Sequence, residues 1–424
     1  THMFCIYLTT KEKIMQGLKA ENIIYADNAS TTRMCQAAKD AVTECMDEYF
    51  GNPSSLHIEG HRAARRLLQS RQTMARLLNC SPSEIYFTSG GSESDTQALV
   101  SAAAAGAAEN KRHIISTAIE HHAVLNTLSS LQSQGFEITL LPVDSRGMVD
   151  PAQLEKEMRP DTALVSVMYA NNEIGTIQPV DLIGEICKAH SVPFHTDAVQ
   201  AAGILPVDVQ TQNIDMLSLS AHKFHGPRGT GLLYAKKGTR LTSIIEGGAQ
   251  ERGKRAGTEN LPAIAGMAAA FEEACRDRET NAAKITALRD RIISALLMIP
   301  HSMLNGPAPG DDANGTAPRL PGNINMCFEG VKSEPLLLLL SEHGICASAA
   351  SACSAGSLEP SHVLLATGVP YQLSHNSLRI SLSAENTEEE ADVIINTIPE
   401  IISELRALSP TWKALQDGRQ EFLI

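Results

Sequence analysis

Lys223 closes the segment Ser220-Ala221-His222-Lys223, directly after the apolar run Ile214–Leu219. A lysine at the end of a buried strand is costly unless it is neutralised or bonded. Schiff-base chemistry is one reason to place it there, because an imine needs a desolvated amine of lowered proton affinity. A surface lysine snorkelling along its stem would fit the same residues. Asp197 follows another apolar run, Val192–His195. An acid there can hold a pyridine nitrogen protonated and turn the ring into an electron sink, or it can cap the helix that follows. Thr88-Ser89-Gly90-Gly91-Ser92 joins the strand-like Ile85–Phe87 to an Ala-rich helix. Small residues at a helix N-terminus let backbone N–H groups approach a phosphate. His121, after Ile119-Glu120, could stack on a cofactor ring and move protons, or serve only the structure.

These residues need a frame that gathers them. Arg112–Ile115, Phe136–Leu141, Thr162–Met168, Val192–His195 and Ile214–Leu219 read as buried strands. Ala123–Gln134, Pro151–Met158 and Pro179–His190 carry helical spacing between them. Such alternation implies an α/β domain with a mainly parallel sheet, whose ligand sits off the carboxyl ends of the strands. From about Ala282 the texture changes. A helical stretch Ala282–Met298, a Pro/Gly/Asn-rich segment, the run Glu334–His343, a strand at Leu378–Leu382 and an amphipathic helix at Thr387–Leu408 suggest a smaller α+β domain. The expected division is 33–281 for the large domain and 282–424 for the small one, with segment 3–32 packing on the latter.

The net charge of −13 and the lack of a Lys/Arg block disfavour a nucleic-acid partner. No apolar stretch approaches the roughly 18 to 20 residues of a membrane-spanning helix, and Phe4–Leu8 is too brief for a signal peptide. A cytoplasmic location is the expectation. Nine cysteines without a CxxC pair argue against both a disulfide framework and a zinc site, so no metal is expected. Most of these thiols read as inert core residues.

Seven segments then occur in order: Ala26–Thr32, Gly51–His57, Glu120–Val124, Asn171–Gly175, Ser220–Lys223, Arg255–Asn260 and Ser351–Leu364. Together they resemble the NifS/IscS-type cysteine desulfurases, in the class V aminotransferase group of fold-type I pyridoxal 5'-phosphate (PLP) enzymes. The resemblance runs from about Ile24 to about Pro410. It implies that Lys223 bonds the cofactor and later shuttles the substrate Cα proton. Asp197 would pair with the pyridinium nitrogen, Gln200 with the phenolic oxygen, and His121 would stack over the ring. Gly91, Ser92, Ser220 and His222 would bind the phosphate. Thr258 would reach it from a neighbouring subunit, which makes a homodimer with shared active sites part of the expectation. Asn172 and Arg379 would hold the carboxylate of L-cysteine, a task that suits the guanidinium fork.

Cys353, in the small-residue loop Ala347–Ser357, would accept the sulfur as a persulfide and release alanine. The sulfur would then pass to an acceptor protein such as an iron–sulfur scaffold. Cys346 reads as a buried strand cysteine. Departures from the family pattern are Gly91-Ser92 for the commoner Ala-Thr, Ala256 for serine, and Ala350 for glycine. A selenocysteine lyase would share Lys223 and Asp197, but the Cys353 loop favours the desulfurase. An ordinary aminotransferase leaves that loop without a purpose, and a silent sulfur-transfer subunit would have lost one of Lys223, Asp197, His121 or Cys353.

Overall fold

The computed structural model describes residues 23–310, 318–349 and 360–424. The chain forms two compact units. The larger comprises Thr31–Asn172 and Thr176–Glu279; the other takes residues up to Ser30, Glu173–Gly175 and Thr280–Ile424.

The larger unit is built on seven strands: β1 (Ile85–Thr88), β2 (His113–Thr117), β3 (Glu137–Leu141), β4 (Thr162–Ser166), β5 (Phe194–Asp197), β6 (Met216–Ser220) and β7 (Gly231–Ala235). Their order across the sheet is β1-β7-β6-β5-β4-β2-β3. Only β7 runs against the rest: its pairings with β1 and β6 are antiparallel, and the other four are parallel. Strands β4 to β7 are buried throughout, as expected of a sheet covered on both faces. The period-two alternation sorts their residues. Ile114, Leu164, Met216 and Leu233 meet Ala98, Leu99 and Ala102 of helix Gly91–Ala107. Ile115, Val165, Leu217 and Leu232 join the opposite core with Met74, Ile183 and Phe271. The first of these faces carries the chemistry.

In the smaller unit, an antiparallel sheet has the order Ser377–Ser381, Asn323–Phe328, Ser302–Leu304. Ile324, Met326 and Ile380 pack with Ile394 and Ile398 of helix Glu388–Leu408. That helix opens with a capping box between Thr387 and Glu390. Ile24–Tyr25 pairs in parallel with Ile345–Cys346, and Cys346 is half-buried rather than fully enclosed.

Element limits differ from the sequence reading where tertiary burial overrides local pattern. The helix expected from Ala282 begins at Leu261 and runs unbroken to Leu296, so the boundary between Glu279 and Thr280 falls inside it. Pro262 is tolerated because its missing N–H lies in the first turn. Strands β5 and β6 each extend to the functional residue itself, Asp197 and Ser220.

Candidate active site

The parallel strands of the larger unit end on the same edge, and the predicted residues follow those ends. Strand β1 ends at Thr88, and Gly91 opens the next helix. Gly90 caps that 17-residue helix without any side-chain hydrogen bond to its first-turn N–H groups. A Cβ on Gly91 would lie 2.7 Å from Val199 Cγ2 and 3.6 Å from Ser220 Cβ. Gly91 therefore packs closely against the residues at the ends of β5 and β6, and a methyl there would make the Val199 side chain shift. The result is an anion cradle of backbone amides and the Ser220 side chain. Ser92 is exposed at the same helix start.

Asp197 is the last residue of β5 and is buried; its Oδ1 accepts from Val199 N at 2.9 Å. Burial pushes its carboxyl up, opposed by the facing His121 imidazole, the Val199 N–H and the Lys223 amine. Gln200 lies half-buried three residues on. Lys223 ends the 3-10 turn Ala221–Lys223 that follows β6. Thr32 clamps this turn: its N–H and hydroxyl both donate to the His222 carbonyl at 2.9 Å, and its hydroxyl accepts from His225 N at 2.8 Å. His222 Nδ1 meets Thr31 Oγ1 at 3.1 Å, and burial with neighbouring Lys223 and Arg228 pushes this imidazole down to about 4. A neutral His222 is therefore a donor, not a charge, at neutral pH.

His121 caps helix His122–Ser133, its Nδ1 accepting from Ala123 N at 3.1 Å. That bond places the remaining ring proton on Nε2. Burial lowers its proton affinity, while Asp197 raises it. Beside it, Glu120 Oε1 accepts from Thr117 Oγ1 at 2.7 Å and Met168 N at 2.9 Å. Burial pushes Glu120 up to about 8. Asn171 anchors the loop after β4 by donating to the Ile119 carbonyl at 2.9 Å, leaving Asn172 half-buried next to it.

Gly91, Ser220, Asp197, His121, His222 and Lys223 are thus brought together on one edge. Thr258 is exposed beside a small pocket lined by Thr88 and Ser89. Its loop is tied down by Arg255 to Glu93 at 2.9 Å and by the buried Arg71–Glu251 pair at 2.6 Å. Arg379 belongs to the other unit. It is buried on strand Ser377–Ser381 and donates to Asp27 at 3.0 Å and Ser30 at 2.6 Å. In that unit Glu173 is pushed up to about 7 by burial, and its side chain and carbonyl take bonds from Ser361, Asn323 and Asn325. Cys353 and Ala350 lie outside the described residues.

Sequence reasoning missed Thr32, Glu120, His195 and Asp95 as parts of this edge. His195 was legible in principle, because it stands two residues before Asp197 on the same strand and so shares its face. Asp95 is a lone acid on the buried face of an Ala-rich helix.

The donor set fits PLP. It offers a helix N-terminus opened by small residues, an amine, a buried acid and an aromatic imidazole on one strand edge. The comparisons with known proteins agree. The aminotransferase class-V family model matches residues 24–394. The chain belongs to the class-V aminotransferases, PLP-dependent enzymes. It is 48% identical over 396 residues to the cysteine desulfurase IscS of Methanosarcina thermophila, covering 93% of this chain and 96% of that protein. It is 45% identical over 390 residues to a cysteine desulfurase of Nostoc sp., covering 92% and 95%. Among solved structures, a NifS-like protein superposes with a TM-score of 0.83 at 38% identity, covering 90% of this chain and all of the other. SspA in complex with cysteine gives 0.73 at 35%, covering 86% and 99%. Within its family the chain falls in the cysteine desulfurase group.

Proposed function

We propose that this chain is a PLP-dependent cysteine desulfurase that converts L-cysteine to L-alanine and leaves the sulfur as a persulfide on Cys353. The observation that carries the reading is the convergence of Lys223, Asp197 and His121 at the carboxyl ends of β6, β5 and β2. Bound PLP supplies an electron sink for charge developing at the substrate Cα. Gly91 and its following amides, with Ser92, Ser220 and His222, hold the phosphate, and Thr258 of a second subunit completes the cradle. Asp197 would keep a proton on the ring nitrogen, and Gln200 would donate to the phenolic oxygen. His121 would lie against the ring and serve as an acid–base group. Lys223 Nζ would hold the cofactor and move the Cα proton. Asn172 and Arg379 take the substrate carboxylate.

At the sulfur, the Cys353 thiolate attacks the substrate Sγ. The Cβ–S bond breaks as the S–S bond forms, and the electron pair left on carbon is taken up by a proton to give alanine. The net change is cysteine plus thiol to alanine plus persulfide, with no external oxidant. An acceptor protein, of which an iron–sulfur scaffold is one kind, then takes the sulfur.

A homodimer is supported by surface chemistry. Met46, Phe50, Leu56 and Ile58 are 64% to 90% exposed within one short stretch of the larger unit, an apolar patch of the kind that marks an interface. Seven described cysteines are free, which suits a reducing, cytoplasmic compartment. Among the described residues no helix is long and apolar enough to cross a membrane.

Replacing Lys223 with Ala tests the assignment. Absorbance of the covalently held cofactor and alanine production from cysteine should both be lost; retained turnover would overturn the role of Lys223.

A further inference from the structure

Behind Asp197 lies a second buried carboxyl that the reaction does not use. Asp95 sits one turn into helix Gly91–Ala107 and is 1% exposed. Its Oδ1 has no hydrogen-bond partner and faces His195 Nε2 at 3.6 Å. His195 shares its strand face with Asp197. The His195 Nδ1 meets Ser166 Oγ at 2.9 Å and its Nε2 meets Ser218 Oγ at 3.0 Å. Ser218 and Asp95 thus adjoin the same nitrogen of His195. This chain of contacts links the helix that cradles the phosphate to the strand that carries Asp197.

We propose that Asp95 works as a neutral acid, a positioning residue that fixes His195 and Ser218 under β5 so that Asp197 remains the anion of the compartment. The inference rests on the assignment of Asp197 to the cofactor ring.

Three carboxyls face this space from different elements: Asp95 from the helix, Asp197 from β5, and Glu120 from the loop after β2. The Lys223 amine and the His121 imidazole face Asp197, whereas burial holds His195 neutral, at about 3. A charged Asp95 would have no cation to pair with, and an isolated buried charge is far costlier than its protonated form. It would also raise the proton affinity of Asp197 and so weaken the anion the ring nitrogen needs. A protonated Asp95 removes that repulsion and supplies one O–H donor to the Ser218–His195 pair. Burial first, and then the charge of Asp197, push Asp95 up.

Infrared difference spectra of wild type against Asp95→Asn, taken on both the cofactor-free and the PLP-loaded protein, test this directly. The difference spectrum should show one protonated-carboxyl C=O band lost on Asp95→Asn throughout pH 6 to 9, while the bands of Glu120 and Glu173, present in both proteins, cancel. No such difference band would overturn the proposal. In the loaded protein, the midpoint of the pH dependence of cofactor absorbance should move less than twofold in proton affinity on Asp95→Asn. A tenfold shift would mean that a charge had been removed, and would also overturn it. Asp95→Leu, which deletes the donor, should weaken PLP binding about tenfold while Asn rescues it; equal binding by both variants would refute the positioning role. Failure of the cofactor reading is separable, because PLP would then not bind wild type while the infrared band persisted.

Discussion

Glu120 gives the sharpest energetic consequence of burying acids under the strand edge. Its carboxyl holds its proton up to about pH 8 in the folded chain, against an ordinary value of 4.5. Burial is the chief cause, partly offset by bonds from Met168 N and Thr117. Because the folded value is raised, the folded state binds more protons than the unfolded one between these limits. Stability from this group is then full below about 4.5 and lost as pH rises toward 8. At about 1.4 kcal/mol per unit, the loss between pH 5 and pH 8 is about 3–4 kcal/mol. The isosteric Glu120→Gln keeps an acceptor for both donors but cannot ionise. Urea unfolding of the two proteins at several pH values isolates the effect, since other titrating groups cancel in the difference. The stability of Glu120→Gln relative to wild type should rise by about 3–4 kcal/mol from pH 5 to pH 8. A difference that stays flat, or that falls with pH, would refute a neutral Glu120.

Two further outcomes follow from the packing. Gly91→Leu drives a branched side chain into space where even a Cβ would lie 2.7 Å from Val199 Cγ2 and 3.6 Å from Ser220 Cβ, so it should push the helix start away from Ser220 and weaken PLP binding at least tenfold, measured by equilibrium absorbance titration. Glu251→Ala leaves the Arg71 guanidinium buried without its bidentate partner and strips Phe87 N of its acceptor. Loss of one member of a buried pair costs about 3–5 kcal/mol, and the midpoint of thermal unfolding should fall accordingly; the double variant Arg71→Met/Glu251→Ala should recover part of the loss.

Much of the larger unit was readable because its chemistry sits at the ends of fully apolar strands, and such runs are unambiguous when helices alternate with them. Strand β7 escaped because Gly231-Leu232-Leu233-Tyr234-Ala235 is short and its antiparallel direction is set by pairing with β1 and β6, not by its own pattern. Asn323–Phe328 escaped for another reason. Its polar members are fully buried and bonded, with Asn323 and Asn325 both donating to the Glu173 carbonyl, so the hydrophobic alternation that marks a strand is missing. The allocation of Glu173–Gly175 to the smaller unit also has no local signal, since it depends on those long-range bonds. Within the site, the side chains proposed to touch the cofactor stand out in the sequence by type. The residues that hold them, Thr32 against the Lys223 turn and Asp95 behind Asp197, are ordinary polar residues until the fold buries them.

The central claim is sulfur transfer through Cys353, and the most direct measurement is alanine and sulfide production from L-cysteine with a thiol reductant, comparing wild type with Cys353→Ser. Wild type should yield both products in equal amounts, and the variant should keep the cofactor absorbance yet release no sulfide. Normal sulfide release by the variant, or turnover of selenocysteine alone by wild type, would contradict the account.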